Sequence, residues 1–281
     1  MSEAYDPNNL LDRNTNRDTM QVHYDQVRRR EAAILDRRLG LAGGEVLSVG
    51  CGWNPGRHMF AQPAWRMTGV ELEETKPDAL VADGILDAGL AGRAGALDLA
   101  PGSFDVVLYR LVLHHLAFQG PLAPVFSEAT SLLRPGGAMI AVEPGAWHPV
   151  GAALGLANRL GAGTAVHGTP DDIPLSPRRL VSEARAAGLE PELHAVTYTW
   201  RRMPPAMQRA IWPLDAALGS RSGTAPLGHT LMLIARRPAT SDQRPATNDQ
   251  RLATSHLSTC PKPSSMACDD RSGPSTPGFI A

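Results

Sequence analysis

Residues 46–56 read VLSVGCGWNPG, a short apolar run entering two glycines one position apart. A buried strand that runs straight into Gly50-x-Gly52 lets the backbone turn sharply and lets a ligand approach where a Cβ would clash. A plain structural turn uses glycine in the same way. The discriminating residue stands about 20 positions further on, where a nucleoside site places its acid: the next strand-like run, RMTGVEL at 66–72, brings Glu71 to a strand end, where it can take both hydroxyls of a ribose. Strand, glycines and acid together point to a cofactor that contains a nucleoside. A dinucleotide fits poorly, because Trp53, Asn54 and Pro55 follow Gly52, where a diphosphate wants a third glycine and a free helix N-terminus.

Outward from this stretch the chain alternates. Residues 19–39 space Met20, Val27, Ile34 and Leu35 as an amphipathic helix ending at Gly40. The interval 73–103 offers at most a weak strand near 88–92, and SFDVVLYRLVL at 103–113 is a buried strand, its apolar run too continuous for a one-sided sheet. A helix over 121–133 stops at RPGG, and AMIAVEP at 138–144 makes the next strand. Residues 146–175 read as a lid-like insertion containing one helix, 177–187 as a helix stopped by Gly188, and 193–200 and 229–235 as strands separated by a second insertion at 201–227. Strands alternating with helices from 46 to 236 predict an α/β domain with a largely parallel sheet. The expected organisation is an N-terminal segment and helix over 1–40, this domain over 41–236, and a tail over 237–281 in which RPATSDQ, RPATNDQ and RLATSHL run in tandem. That tail is too polar and proline-rich to bury a face and reads as disordered.

A chain of 281 residues with 43% hydrophobic content can bury a full core. With 27 Lys+Arg against 28 Asp+Glu, no global field advertises a nucleic acid or an anionic membrane. Cys51 lies inside the glycine cluster and Cys260 and Cys268 in the tail, with the spacing of neither a zinc site nor a disulfide framework. The opening MSEAYDPNNLLDRNTNRD is too polar for a signal peptide, and no apolar run approaches the ~20 residues of a membrane helix. The expectation is a soluble, cytoplasmic protein without a metal, a nucleic-acid partner or a membrane partner.

Taken in order, VLSVGCG, GVEL, GRAGALDL, SFDVVLYRLVLHHL and LLRPGGAMIAVEPG resemble the motifs of the class I S-adenosylmethionine-dependent methyltransferases, in particular the small-molecule group related to the ubiquinone-biosynthesis methyltransferases. The resemblance runs from about residue 20 to 236. It implies a Rossmann-like, doubly wound sheet of seven strands, mostly parallel with an antiparallel last strand, for which HTLMLIARR is suited. It also implies S-adenosyl-L-methionine as cofactor. By the same resemblance Gly50, Cys51 and Gly52 pass under the methionine and ribose portions, Glu71 holds the ribose hydroxyls and Leu72 packs against adenine. Ala96 and Leu97 surround the adenine ring, and Arg110 sits near the methionine carboxylate or the methyl group. Ser48 and Gly95 stand where the family usually has acids, a departure that keeps open a non-catalytic binding or partner protein of the same fold.

Methyl transfer from a sulfonium needs alignment of acceptor and methyl and exclusion of water. An oxygen acceptor also needs a base, and histidine suits that task near neutral pH. The candidate catalytic residues are His114 and His115 at the exit of the fourth strand and His148 just after the fifth, with His167 in the lid region and Glu143 as further candidates. The structural alternative is that one histidine of LVLHHL packs under the sheet end while the other caps a backbone group, and that Glu143 makes a structural hydrogen bond. Met20, Met67, Met139 and Met232 read as core gap-fillers and RRR at 28–30 as a solvated helix face. Tyr24 places that helix where it can close over the cofactor or simply pack. The position after the fourth strand reads Arg110-Leu111-Val112-Leu113, not the Asn/Asp-Pro-Pro-aromatic motif of nitrogen methylation in this fold, and no basic patch interleaved with aromatics is present. Cys51 is committed to the cofactor loop, which disfavours carbon methylation through a covalent cysteine. The expected reaction is methyl transfer to a small, partly hydrophobic acceptor at oxygen in a biosynthetic pathway, with Trp147, Trp200 and Trp212 of the insertions covering the pocket.

Overall fold

The computed structural model describes residues 16–162 and 173–239. Helix α1 (Arg17–Arg38) begins where the side chain of Asn16, in extended backbone, accepts the N–H of Asp18 at 2.8 Å, the bond by which short polar residues satisfy a helix start. Along the chain follow β1 (Gly44–Val49), β2 (Trp65–Glu71), α2 (Thr75–Ala82), β3 (Ala88–Ala91), β4 (Phe104–Arg110), α3 (Leu113–Gln119), α4 (Ala123–Leu132) and β5 (Leu133–Pro144). Then come α5 (Pro149–Arg159), α6 (Pro177–Ala186), β6 (Glu190–Thr197), α7 (Pro205–Leu218) and β7 (Thr230–Arg236). The seven strands are ordered β3-β2-β1-β4-β5-β7-β6. Every neighbouring pair from β3 to β5 is parallel, and β7 runs antiparallel to both β5 and β6. This is the doubly wound sheet with a reversed last strand that the motifs implied.

Both faces of the sheet are covered, which is why its strands read as unbroken apolar runs. Leu47, Val49, Val107, Tyr109 and Met139 pack to one side with Phe126 of α4 and Leu180 of α6. Val46, Met67, Val106, Leu108 and Ile140 pack to the other with Val27, Ile34 and Leu35 of α1. Each such side chain contributes about 1.5–3 kcal/mol when fully buried, so the core outweighs any single polar contact. Met20, Met67, Met139 and Met232 are all inside it, as gap-filling methionines should be.

Four local outcomes were not read from the sequence. No α-helix follows β1: residues 51–56 turn, one 3-10 turn covers Arg57–Met59, and β2 begins at Trp65. The face that a helix there would cover is taken by α1, which packs with Met59 and Phe60. Strand β4 stops at Arg110 instead of running to 113, because Leu111 adopts φ 57° and turns the chain off the sheet into α3. That left-handed conformation costs roughly 1–2 kcal/mol for an L-residue. An apolar run alone does not separate a buried strand from a buried helix start. Helix α2 lies in the interval that yielded no helical period, since only Pro77 and Leu80 of it are buried. Arg30, assigned to a solvated face, is 8% exposed and donates to the Asp215 carbonyl at 2.7 Å, a partner 185 residues away that no local pattern announces. At the other end Arg237, just past β7, is still tied to β5, its N–H donating to Gly137 O at 2.8 Å. The expected tail from 240 onward, residues 1–15 and His167 lie outside the described residues.

Candidate functional site

The carboxyl ends of β1, β2 and β4 converge on a cavity of about 660 Å³, at the edge where open parallel sheets bind ligands and within the size range of small-molecule sites. Its floor is the glycine cluster. Gly50 and Gly52 have φ of 63° and 48°, and a Cβ on Gly50 would stand 2.4 Å from Val112 Cγ2, so the exit of β4 needs this glycine bare. Glu71 is tied to the same loop: its carboxylate accepts the Gly52 N–H at 3.0 Å and the Leu72 N–H at 3.2 Å. An ionised carboxylate offers about four acceptor positions, so two remain for further donors such as a ribose diol. Leu72, exposed beside it, and Lys76 continue the wall.

The remaining wall corrects two expectations. Ala96 and Leu97 do not line the cavity; Gly92, Arg93 and Ala94 do. The segment after them is pulled away because the Glu128 carboxylate on α4 accepts the N–H of Gly95 at 2.7 Å and of Leu97 at 2.5 Å, while the Leu97 side chain packs against the core. An acid is therefore present near Gly95 in space, but it serves the loop's own backbone. Ser48, 1% exposed, is also turned elsewhere: its hydroxyl donates to Pro55 O at 2.9 Å and pins the 51–56 turn.

Arg110 reaches the cavity wall, yet its guanidinium is engaged by Glu31 of α1, with Nη2 3.2 Å from Oε1 and Nε 3.3 Å from the same oxygen. His58 Nε2 stands 2.5 Å from the other oxygen of Glu31. Burial pushes the Glu31 carboxyl up, but Arg110 and His58 together more than offset it and hold it below the usual carboxylate range. The charge expected to face a methionine carboxylate is thus largely neutralised from within the chain. Glu31 and His58 could not have been singled out from sequence, since each is one polar residue among many in its segment.

The histidines separate clearly. His115 lines the cavity. His114 is buried, with Nδ1 2.6 Å from Glu143 Oε2. Glu143, fully buried at the end of β5, also accepts the N–H groups of Val112 at 3.0 Å and Leu113 at 2.8 Å, capping the start of α3. His148 is the N-cap of α5: Nδ1 accepts the Val150 N–H at 3.3 Å, so Nε2 carries the proton and donates to Tyr198 O, 3.2 Å away. With both nitrogens engaged and burial lowering its pKa, His148 has no lone pair to offer a substrate, which corrects its assignment as a base.

A second polar cluster covers the ends of β5, β7 and β6. The His229 ring meets His148 at 5.0 Å and His23 at 6.4 Å between centroids. Tyr24 does not reach the cavity wall; its hydroxyl accepts from Arg201 at 2.9 Å and ties α1 to the chain after β6. Asp215 of α7 accepts the Thr197 hydroxyl at 2.8 Å and the Tyr198 N–H at 2.9 Å, and burial raises its pKa. Among the described residues no group of histidine, cysteine and acid side chains is arranged to hold a metal, and no helix is long and apolar enough to cross a membrane.

Residues 47–141 match the family profile described as a methyltransferase domain. Ubiquinone biosynthesis O-methyltransferases from strains of Pseudomonas aeruginosa are 34% identical over 109 residues, 37% of this chain and 45% of theirs, so the match spans less than half the length of these curated relatives. Among solved structures, the "SAM-dependent methyltransferase, possible histamine N-methyltransferase" of Thermotoga maritima superposes with a TM-score of 0.55 at 17% identity, over 77% of this chain and 94% of that one. At that identity the likeness is one of fold. The matched segment runs from β1 into β5 and contains the glycine floor, Glu71 and the turn out of β4, so residues 47–141 are similar to a methyltransferase domain and the sheet they belong to has the fold of the superposed methyltransferase.

Proposed function

We propose that the chain transfers a methyl group from S-adenosylmethionine to an oxygen of a small, partly hydrophobic acceptor in a biosynthetic pathway. The observation that carries the donor assignment is the union of the glycine floor with Glu71 through the Gly52 N–H. It sets a strand-end carboxylate beside a loop that has no Cβ to block a nucleoside. Gly50–Gly52 would lie under the donor, Glu71 would take its ribose hydroxyls, and Leu72 with the 92–94 turn would flank its base. When bound, the donor supplies a methyl group already activated on sulfur. The missing helix after β1 leaves no helix N-terminus for a pyrophosphate, in keeping with a cofactor that has none. Oxygen as the accepting atom is supported by the O-methyltransferase relatives over the shared 109 residues.

The rival, a non-catalytic protein of the same fold, draws on Ser48, which faces the turn where the family usually has an acid. Calorimetric titration of the full chain with S-adenosylhomocysteine separates the two. The enzyme reading expects micromolar binding, weakened in Glu71→Ala by about 1–3 kcal/mol, the range for a lost hydrogen-bonding carboxylate. A folded wild type that binds none of it would sink the donor assignment.

A further inference from the structure

Among the side chains of fixed charge that line the cofactor cavity, cations are in excess: Lys76 of α2, Arg93 after β3 and Arg110 at the end of β4 stand against Glu71 alone. At neutral pH S-adenosylmethionine carries a carboxylate, an ammonium and a sulfonium, a net positive charge. S-adenosylhomocysteine, left when the methyl has gone, lacks the sulfonium. A wall so charged favours the spent cofactor over the donor, because like charges repel more strongly beside a protein wall than in bulk water. An acid placed behind the wall alters that balance.

Glu31 does not line the cavity. Its side chain is fully buried on α1 against Arg110, whose side chain is 7% exposed. Arg110 gives it one edge of the guanidinium, Nη2 lying 3.2 Å and Nε 3.3 Å from Oε1, with Nε 3.4 Å from Oε2. Nη1 makes no hydrogen bond among the described residues and is not one of the buried nitrogens that lack a partner, so it stays open to the cavity that Arg110 lines. The arginine stem passes over Gly56, where an added Cβ would stand 3.6 Å from Cδ, and His58 Nε2 holds the other Glu31 oxygen at 2.5 Å. A staple between α1 and the sheet needs no charge: a buried ion pair gains little over apolar residues of similar volume, and Val27, Ile34 and Leu35 of the same helix already pack on this face. What the acid supplies that an apolar residue does not is negative charge behind Arg110.

We propose that Glu31 is a specificity-determining residue for the donor: its buried carboxylate cancels the field of Arg110 in the cavity, so the sulfonium form of the cofactor is not disfavoured against the spent thioether. This rests on the methyltransferase reading and adds to it how the site admits a charged donor and lets its product go. Glu31 touches neither ligand and acts through Arg110. Burial pushes its carboxyl up, but Arg110 and His58 hold it below the usual carboxylate range, so the charge is present at neutral pH. The two ligands differ by one methyl and one charge. The ratio of their affinities therefore isolates the field at sulfur, whereas a loss of packing or of stability weakens both alike.

The test is calorimetric titration of the full chain with S-adenosylmethionine and, separately, with S-adenosylhomocysteine, in the wild type, Glu31→Gln and Glu31→Asp. Glutamine keeps an acceptor for Arg110 and removes only the charge; aspartate keeps the charge. In Glu31→Gln the affinity ratio should move toward S-adenosylhomocysteine by about three- to tenfold, the range Coulomb's law gives for one charge at about 10 Å and an effective dielectric constant of about 20–40. In Glu31→Asp it should stay within about twofold of the wild type. The assignment is overturned if the ratio in Glu31→Gln is unchanged, if it moves toward the donor, or if aspartate shifts it as far as glutamine does. Should Glu31→Gln not fold, the double variant Glu31→Leu, Arg110→Met decides, since it removes the pair without stranding a charge. Its ratio equals that of the wild type if Arg110 is screened, and moves toward the donor if Arg110 acts as an unscreened cation, which refutes the proposal. A folded wild type that binds neither ligand overturns the methyltransferase reading itself, and this inference with it.

Discussion

Replacing His23 with glutamine measures how dry the cluster over β5, β7 and β6 is. His23 is 2% exposed, and burial, followed by Arg201, lowers its pKa from 6.5 to about 4. Between those values the unfolded chain holds a proton that the folded chain refuses. The folded-state pKa lies below the unfolded one, so stability is unaffected above 6.5 and falls as pH drops through the window toward about 4. The linkage amounts to about 2 kcal/mol at pH 5 and approaches about 3 kcal/mol below pH 4. Urea unfolding of wild type and His23→Gln at about pH 7.5 and about pH 5 reads it directly. Glutamine keeps a polar end for the Thr199 hydroxyl but does not titrate. The wild type should therefore lose about 2 kcal/mol more than the variant between the two conditions, whatever the variant's stability at the higher pH. Equal losses would refute the reasoning and show that water reaches the ring.

Three further substitutions have definite outcomes. Glu31→Gln leaves the Arg110 guanidinium, 7% exposed, without its buried counter-charge and should cost about 3–5 kcal/mol in urea unfolding, whereas replacing both residues by apolar ones should cost less. Gly50→Ala puts a Cβ 2.4 Å from Val112 Cγ2 at a φ of 63°, and calorimetry should show at least a roughly tenfold loss of S-adenosylhomocysteine affinity, since about 1.4 kcal/mol of displacement or strain suffices. Leu111→Gly relieves a left-handed leucine that is 40% exposed, so its unfolding free energy should stay within about 1 kcal/mol of wild type, unlike the same change at the fully buried Leu108 of β4.

How far the sequence could be read depended on how local each cause is. Val46–Val49 and Phe104–Tyr109 are strands because their own side chains fill both faces of the sheet, so the pattern lies in adjacent residues. Glu71 was legible because its distance from Gly52 is set by one strand and its connection. The end of β4 was not, because Leu111 carries no residue-type mark of its left-handed backbone and the apolar run continues into α3. Arg30, Glu31 and Arg110 were misjudged or overlooked for a different reason: each is settled by a partner 79 to 185 residues away. The same holds for His148, whose role as the cap of α5 depends on the carbonyl of Tyr198, 50 residues on.

The missing helix after β1 ties these distant pairs together. With only a 3-10 turn at Arg57–Met59, the sheet face beside the glycine floor stays open unless another element covers it, and α1 does so with Val27, Ile34 and Leu35. Once α1 lies there, its polar residues must be matched. Glu31 is matched on the cofactor side by Arg110 and His58, and His23 on the other side by the Thr199, Thr197 and Asp215 chain. These two residues are eight positions apart, about 12 Å along a helix, close to the two strand spacings that separate the end of β4 from β7. One rigid helix thus spans both halves of the sheet edge. The electrostatics of each half follow from the same cause: a helix with few apolar residues, brought in to cover a face, carries charge and imidazole into positions where only specific partners can satisfy them.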